Sequence, residues 1–217
     1  MISPFPSVGK IYAEVISSHG FEVASEAIDA SFRRAWKAAH QIPRLGIDEE
    51  SERNWWRALV KNTFEGLCAI DDFEPVFDDL WRTFAKTRRW KLHDQALETL
   101  RELKRHGYRL GIVSNWDSRL PGLLDGFGIA PLIEQIVISS QVGFEKPDPR
   151  IFQEIQSRFG LEPGAMLHVG DSEFHDVEPA RKLGWHACLI EHAQKKSGSI
   201  SCLDEIPAWI SSASVGR

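Results

Sequence analysis

The chain has 217 residues, enough for one large domain or a core domain with a smaller insert, and a hydrophobic fraction of 42% supplies a packed core. Its formal net charge of -5 comes from 26 basic and 31 acidic side chains interleaved along the chain, which excludes the basic stripe that a nucleic-acid partner requires. Three cysteines without paired spacing, Cys68, Cys188 and Cys202, exclude a disulfide framework and read as buried thiols of a reduced, cytoplasmic protein.

The first ten residues, MISPFPSVGK, carry neither the basic nor the apolar region of a secretion signal, and no stretch is apolar over the length of a bilayer. No membrane role is expected. Up to about residue 90 the pattern is helical, with no strand signal. Val8, Ile11, Tyr12, Val15, Ile16 and His19 follow helical spacing and Gly20 is a stop; Ser25 caps a second helix reaching His40. Asp48 caps a third that carries Trp55, Trp56, Leu59 and Val60, and Asp71 to Lys86 supplies a fourth with Phe73, Val76, Phe77, Leu80, Trp81 and Phe84. These segments predict a four-helix bundle over residues 7–90. Trp55, Trp56 and Trp81 read as its core, with the lining of a pocket as the alternative.

After Trp90 the pattern alternates. A helix over 94–106 ends at Gly107; a strand at 109–113, a helix at 117–126, a strand at 135–139, a helix at 149–159, a strand at 165–169, a helix at 177–183 and a strand at 185–190 follow. A helix near 203–210 closes the chain, with Ser211 to Ser214 as a frayed tail. The alternation predicts an α/β domain over 91–217, a doubly wound, Rossmann-like parallel sheet.

Three constellations fall at the carboxyl ends of the predicted strands, the edge where such sheets bind ligands. In Gly111-Ile-Val-Ser-Asn-Trp-Asp117, Ser114 and Asn115 follow a strand and can donate hydrogen bonds to an anion, or can simply form a turn or helix cap. In Gly143-Phe-Glu-Lys-Pro-Asp-Pro149, Asp148 and Pro149 start a helix and place Lys146 just ahead of its positive end. In His168-Val-Gly-Asp-Ser-Glu-Phe-His-Asp176, an apolar strand stops at Gly170 and two carboxylates follow, Asp171 and Asp176. Oxygen ligands on such a loop suit Mg²⁺, although Ser172 or Asp176 can also cap the next helix. His168 reads as a packed core histidine and His175 as exposed.

Ser114, Lys146 in GFEKPDPRIF, and Asp171 with Asp176 in HVGDSEFHD, in this order and spacing, resemble the second, third and fourth motifs of the haloacid dehalogenase-like hydrolase superfamily. The helices before Trp90 resemble the cap that one branch inserts after its first strand. The resemblance implies a Mg²⁺-dependent phosphatase acting on a small phosphorylated molecule. Ser114 would hold the transferring group, Lys146 would stabilise its oxygens, Asn115 would contact substrate or cap, and Asp171 with Asp176 would hold Mg²⁺ directly or through water. An aspartate at the end of the first strand would be the nucleophile.

No apolar strand ending in Asp-x-x-x-Thr precedes the helices, and Glu14, Glu22, Glu26 and Asp29 lie on amphipathic helices and read as solvated faces. The expectation is therefore a chain truncated at its N-terminus and inactive over these residues. The family's first strand lies mid-sheet, so its loss would leave two facing strand edges unpaired at about 1 to 3 kcal/mol per orphaned buried group, unless the flanking strands pair directly. Two further functions stay open: a non-catalytic metal- and anion-binding protein, and a haloacid dehalogenase, which the paired acids disfavour.

Overall fold

The computed structural model describes residues 1–39, 47–191 and 198–212. In chain order it contains β1 (Ile2–Pro4), α1 (Val8–Ser18), α2 (Ser25–Ala39), α3 (Glu49–Phe64), α4 (Phe73–Thr83), β2 (Trp90–Leu92), α5 (Ala96–Arg105), β3 (Gly111–Ser114) and α6 (Leu120–Gly126). Then follow β4 (Gln135–Ile138), α7 (Ser139–Val142), α8 (Pro149–Phe159), β5 (Leu167–Gly170), α9 (Glu178–Lys182), β6 (His186–Leu189) and α10 (Ile206–Ser212). His40, expected to end the second helix, and the tail positions Ala213 and Ser214 lie outside the described residues. The chain forms two compact units, Met1–His93 with Arg119–Phe127, and the described remainder.

In the first unit the absence of strands expected before residue 90 is corrected: β1 pairs antiparallel with β2, Ile2 opposite Leu92. Three-residue strands, one holding Pro4, are too short to show a period of two, and their pairing is non-local. The helices follow local rules more closely. Asp48 caps α3 by accepting the Ser51 N–H at 2.7 Å, and Ser7 caps α1 by accepting that of Lys10 at 3.2 Å. Asp29 is not the solvated acid expected. Its carboxylate accepts the Gly9 N–H at 2.7 Å and the Ser7 hydroxyl at 2.9 Å, so α2 closes the start of α1.

Tyr12, Ile16, Ile28, Phe64, Phe77 and Leu80 form the core of this unit, and Trp56 and Trp81 pack against it. Trp55 meets Trp56 and Trp36 edge-on, at 5.1 Å and 5.6 Å between ring centroids. The Arg119 guanidinium lies 3.5 Å from the centroid of the Trp81 ring.

The second unit contains two parallel strand pairs. β3 runs beside β4 with Ile112 opposite Ile136, and β5 beside β6 with His168 opposite Ala187. Among the described residues these are two separate two-stranded sheets, so the expected parallel sheet is in two pieces and its flanking strands do not pair directly. Strand alternation puts helices on both faces of β6. Ala187 and Leu189 join Val137 of β4 in a cluster with Ile151, Phe152, Ile155 and Phe159 of α8, whereas Cys188 packs with Leu103 of α5 and Ile206 and Ile210 of α10. This is α/β, Rossmann-like layering. Of the three cysteines, all free, only Cys188 is fully buried; Cys68 and Cys202 are partly exposed.

A Cβ added at Gly9 would lie 2.1 Å from the Ser25 carbonyl oxygen and 2.6 Å from Asp29 Cγ. Replacing Gly9→Ala must push α1 from α2 and is expected to lower the unfolding free energy by about 1–3 kcal/mol, read as a lower urea midpoint at unchanged slope.

Candidate functional site

The site residues sit at the carboxyl ends of β3 and β5 and on the loop ahead of α8. That loop is set by its helix: Asp148 caps α8 by accepting the Arg150 N–H at 2.9 Å, Pro149 occupies the first turn, and the Lys146–Pro147 peptide is cis. Its other anchor is Asn115, just past β3. The Asn115 amide donates to the Lys146 carbonyl at 2.9 Å and accepts the Lys146 N–H at 2.7 Å, so one side chain satisfies both main-chain groups of the lysine. Trp116 is held in turn by the Ser139 hydroxyl, which accepts its N–H at 3.0 Å.

Lys146 is no solvated surface lysine. Its side chain is 15% exposed and its ammonium donates to Asp176 Oδ1 at 2.6 Å. Asp176 is buried on the turn before α9, where a Cβ on Gly170 would come within 2.3 Å of its Cγ. Gly170 therefore provides the room in which the carboxylate stands. The same Oδ1 accepts from His168 Nε2 at 3.0 Å, while Oδ2 accepts the Ser172 N–H at 3.1 Å. Capping of the turn falls to Ser172, whose Oγ accepts the His175 N–H at 3.0 Å and meets His175 Nδ1 at 3.1 Å, so His175 is half-buried rather than exposed.

Burial opposes the ionisation of Asp176, but the His168 hydrogen bond and the Lys146 ammonium outweigh it and hold the carboxyl well below the usual carboxylate range. Burial lowers the His168 pKa more than its bond to Asp176 raises it, and the nearby Lys146 charge lowers it further. Asp176 is thus a carboxylate that only accepts, and the neutral imidazole carries its proton on Nε2.

Asn115, Lys146 and Asp176 are brought into one hydrogen-bonded chain, joined by His168. Ser114 and Asp171 stand beside it in sequence, one before Asn115 and the other before Ser172, and among the described residues no hydrogen bond ties their side chains into it. Asp171 is exposed at the end of β5. Among the described residues no cluster of three or more His, Cys, Asp or Glu side chains is placed to hold a metal. An exposed carboxylate beside a buried one still fits Mg²⁺, which takes one or two carboxylates and keeps several waters. The His168 bond was missed by sequence reasoning; the available signal was a lone polar residue inside an apolar strand. No helix among the described residues is long and apolar enough to cross a membrane.

A family model described as haloacid dehalogenase-like hydrolase matches residues 8–184. The human haloacid dehalogenase-like hydrolase domain-containing protein 3 is 36% identical over 84% of this chain and 74% of its own length. Glyceraldehyde 3-phosphate phosphatase of Methanothermobacter thermautotrophicus is 33% identical over 50% of this chain and 52% of its own. Among solved structures, a magnesium-bound putative HAD-hydrolase of Bacillus subtilis superposes with a TM-score of 0.71 at 19% identity, covering 92% of this chain and 90% of that one. A predicted phosphoglycolate phosphatase from Haemophilus somnus gives 0.67 at 20% identity, over 96% and 92%.

Replacing Asn115→Ala removes both partners of the Lys146 main chain and is expected to cost about 1–3 kcal/mol, measured by chemical denaturation. Acid should also destabilise the fold. Both His168 and Asp176 have folded pKa values below their ordinary 6.5 and 3.8, so the unfolded chain binds protons that the folded chain refuses. The contribution of His168 is lost as pH falls below about 6.5 and that of Asp176 as pH falls below about 3.8, read as a melting temperature that declines in two stages on acidification.

Proposed function

Because the chain belongs to the haloacid dehalogenase-like hydrolase family, we propose that its site binds the phosphoryl group of a small phosphorylated metabolite together with Mg²⁺. The observation that carries this is the Lys146 ammonium, fixed on a buried carboxylate at the carboxyl ends of two parallel strand pairs. A cation held this way needs no rearrangement to meet an anion. Ser114, at the end of β3, adds a hydroxyl donor, and Asn115 fixes the lysine from its main chain. Asp171 is the exposed carboxylate suited to hold Mg²⁺, and Asp176, already engaged by Lys146 and His168, reaches it through water. Bound Mg²⁺ would offset the charge of the phosphoryl oxygens.

The class of substrate follows the name of the archaeal relative, a phosphatase of a three-carbon sugar phosphate. Hydrolysis by the family's route needs a nucleophilic carboxylate, and no apolar run ending in Asp-x-x-x-Thr precedes the helices in the sequence. The residues in hand therefore bind without turning over.

Mg²⁺ and inorganic phosphate together are expected to raise the melting temperature, Lys146→Met to abolish the phosphate response and Asp171→Asn the Mg²⁺ response. Hydrolysis of p-nitrophenyl phosphate by the purified chain is expected to stay at background. Turnover above background, or a melting temperature indifferent to both ions, would contradict the reading.

A further inference from the structure

His168 is a largely buried titratable side chain that phosphate and Mg²⁺ binding leave without a task. It is the second residue of β5, flanked by Leu167 and Val169, and its side chain is 11% exposed. Its ring meets Phe152 edge-on, with 5.1 Å between centroids, and its Nε2 lies 3.0 Å from Asp176 Oδ1. That oxygen is the one that receives the Lys146 ammonium at 2.6 Å.

A lysine is a flexible stem with a point charge, and its ammonium is only as well placed as its partner. Asp176 is itself a short, rotatable side chain on a turn. Two donors on Oδ1 and the Ser172 N–H on Oδ2 leave it no rotation that keeps all three bonds. Of the two side-chain donors, the one with a rigid base is His168, on a strand hydrogen-bonded to β6. We propose that His168 is a positioning residue: through Asp176 Oδ1 it fixes where the Lys146 ammonium stands, and thereby how tightly the site holds a phosphate. The second half of this statement rests on the proposed phosphate-binding role of Lys146; the first half does not.

Two substitutions at this position separate hydrogen bonding from packing. His168→Phe keeps an aromatic ring against Phe152 and removes the donor, whereas His168→Gln presents an amide N–H near the place of Nε2. Inorganic phosphate binding is measured by calorimetry on the intact chain, alongside the ¹⁵N resonance of the Lys146 ammonium, assigned by its loss in Lys146→Met. Loss of a charge-assisted bond predicts about a tenfold weaker phosphate affinity in His168→Phe, with recovery in His168→Gln. The slowly exchanging ammonium signal should vanish in the first and persist in the second. If the unsubstituted chain binds no phosphate, the proposed function fails while the ammonium signal still decides the positioning role. Phe152→Leu is the control that remains if His168→Phe does not fold. It loosens the ring but spares its hydrogen bond, and is expected to lower the melting temperature and leave the ammonium signal and phosphate affinity in place. An ammonium signal unchanged in His168→Phe, lost equally in His168→Gln, or lost in a folded Phe152→Leu would overturn the proposal.

Discussion

The contact between Lys146 and Asp176 is the interaction on which the rest of the second unit depends. Both groups are largely out of water, Asp176 at 4% and Lys146 at 15% side-chain exposure. Burying such a pair stabilises little or nothing relative to apolar residues, while removing one partner typically costs about 3–5 kcal/mol, because the other is left as an uncompensated charge. Stability alone gives no reason to build it. The surroundings are nevertheless committed to it: Gly170 supplies space for the carboxylate, Ser172 and His168 donate to it, and Asn115 binds the lysine main chain. So much polar chemistry gathered around one ammonium at strand ends is the frame that the proposed anionic ligand would meet.

What was legible in the sequence was whatever local rules decide. The bounds of α8 follow from Asp148 and Pro149 at its start and from Gly160, which takes a left-handed φ of 63° at its end. β3 to β6 follow from apolar runs, and the order of Ser114, Lys146 and the two acids was enough to suggest the family. Pairings across long separations were not legible. Asn115 and Lys146 are 31 residues apart, and nothing in an Asn after a strand announces that both faces of its amide will be spent on another main chain. Asp29 was hidden for the same reason: on the helical wheel it is a surface acid, and only the approach of α1 makes it a cap. His168, read as a packed core histidine, is half-buried against Phe152, and its bond to Asp176 needs the turn at 173–177 to bring the carboxylate back onto β5.

The break in the sheet has a physical signature of its own. In an intact parallel sheet the inner strands are the most buried, since both edges and both faces are covered. Here Val137 and Ile138 of β4 and Ala187 to Leu189 of β6 are buried, whereas every residue of β3 and β5 is exposed or half-buried, so in each two-stranded sheet one strand is more covered than its partner. Two things hold the halves together in place of a ladder. One is the apolar layer on α8, which packs on β4 and β6 at once. The other is the polar chain Asn115–Lys146–Asp176–His168, which starts beside β3 and ends on β5. The same four side chains therefore serve as a cross-link between the two strand pairs and as the frame of the proposed anion site.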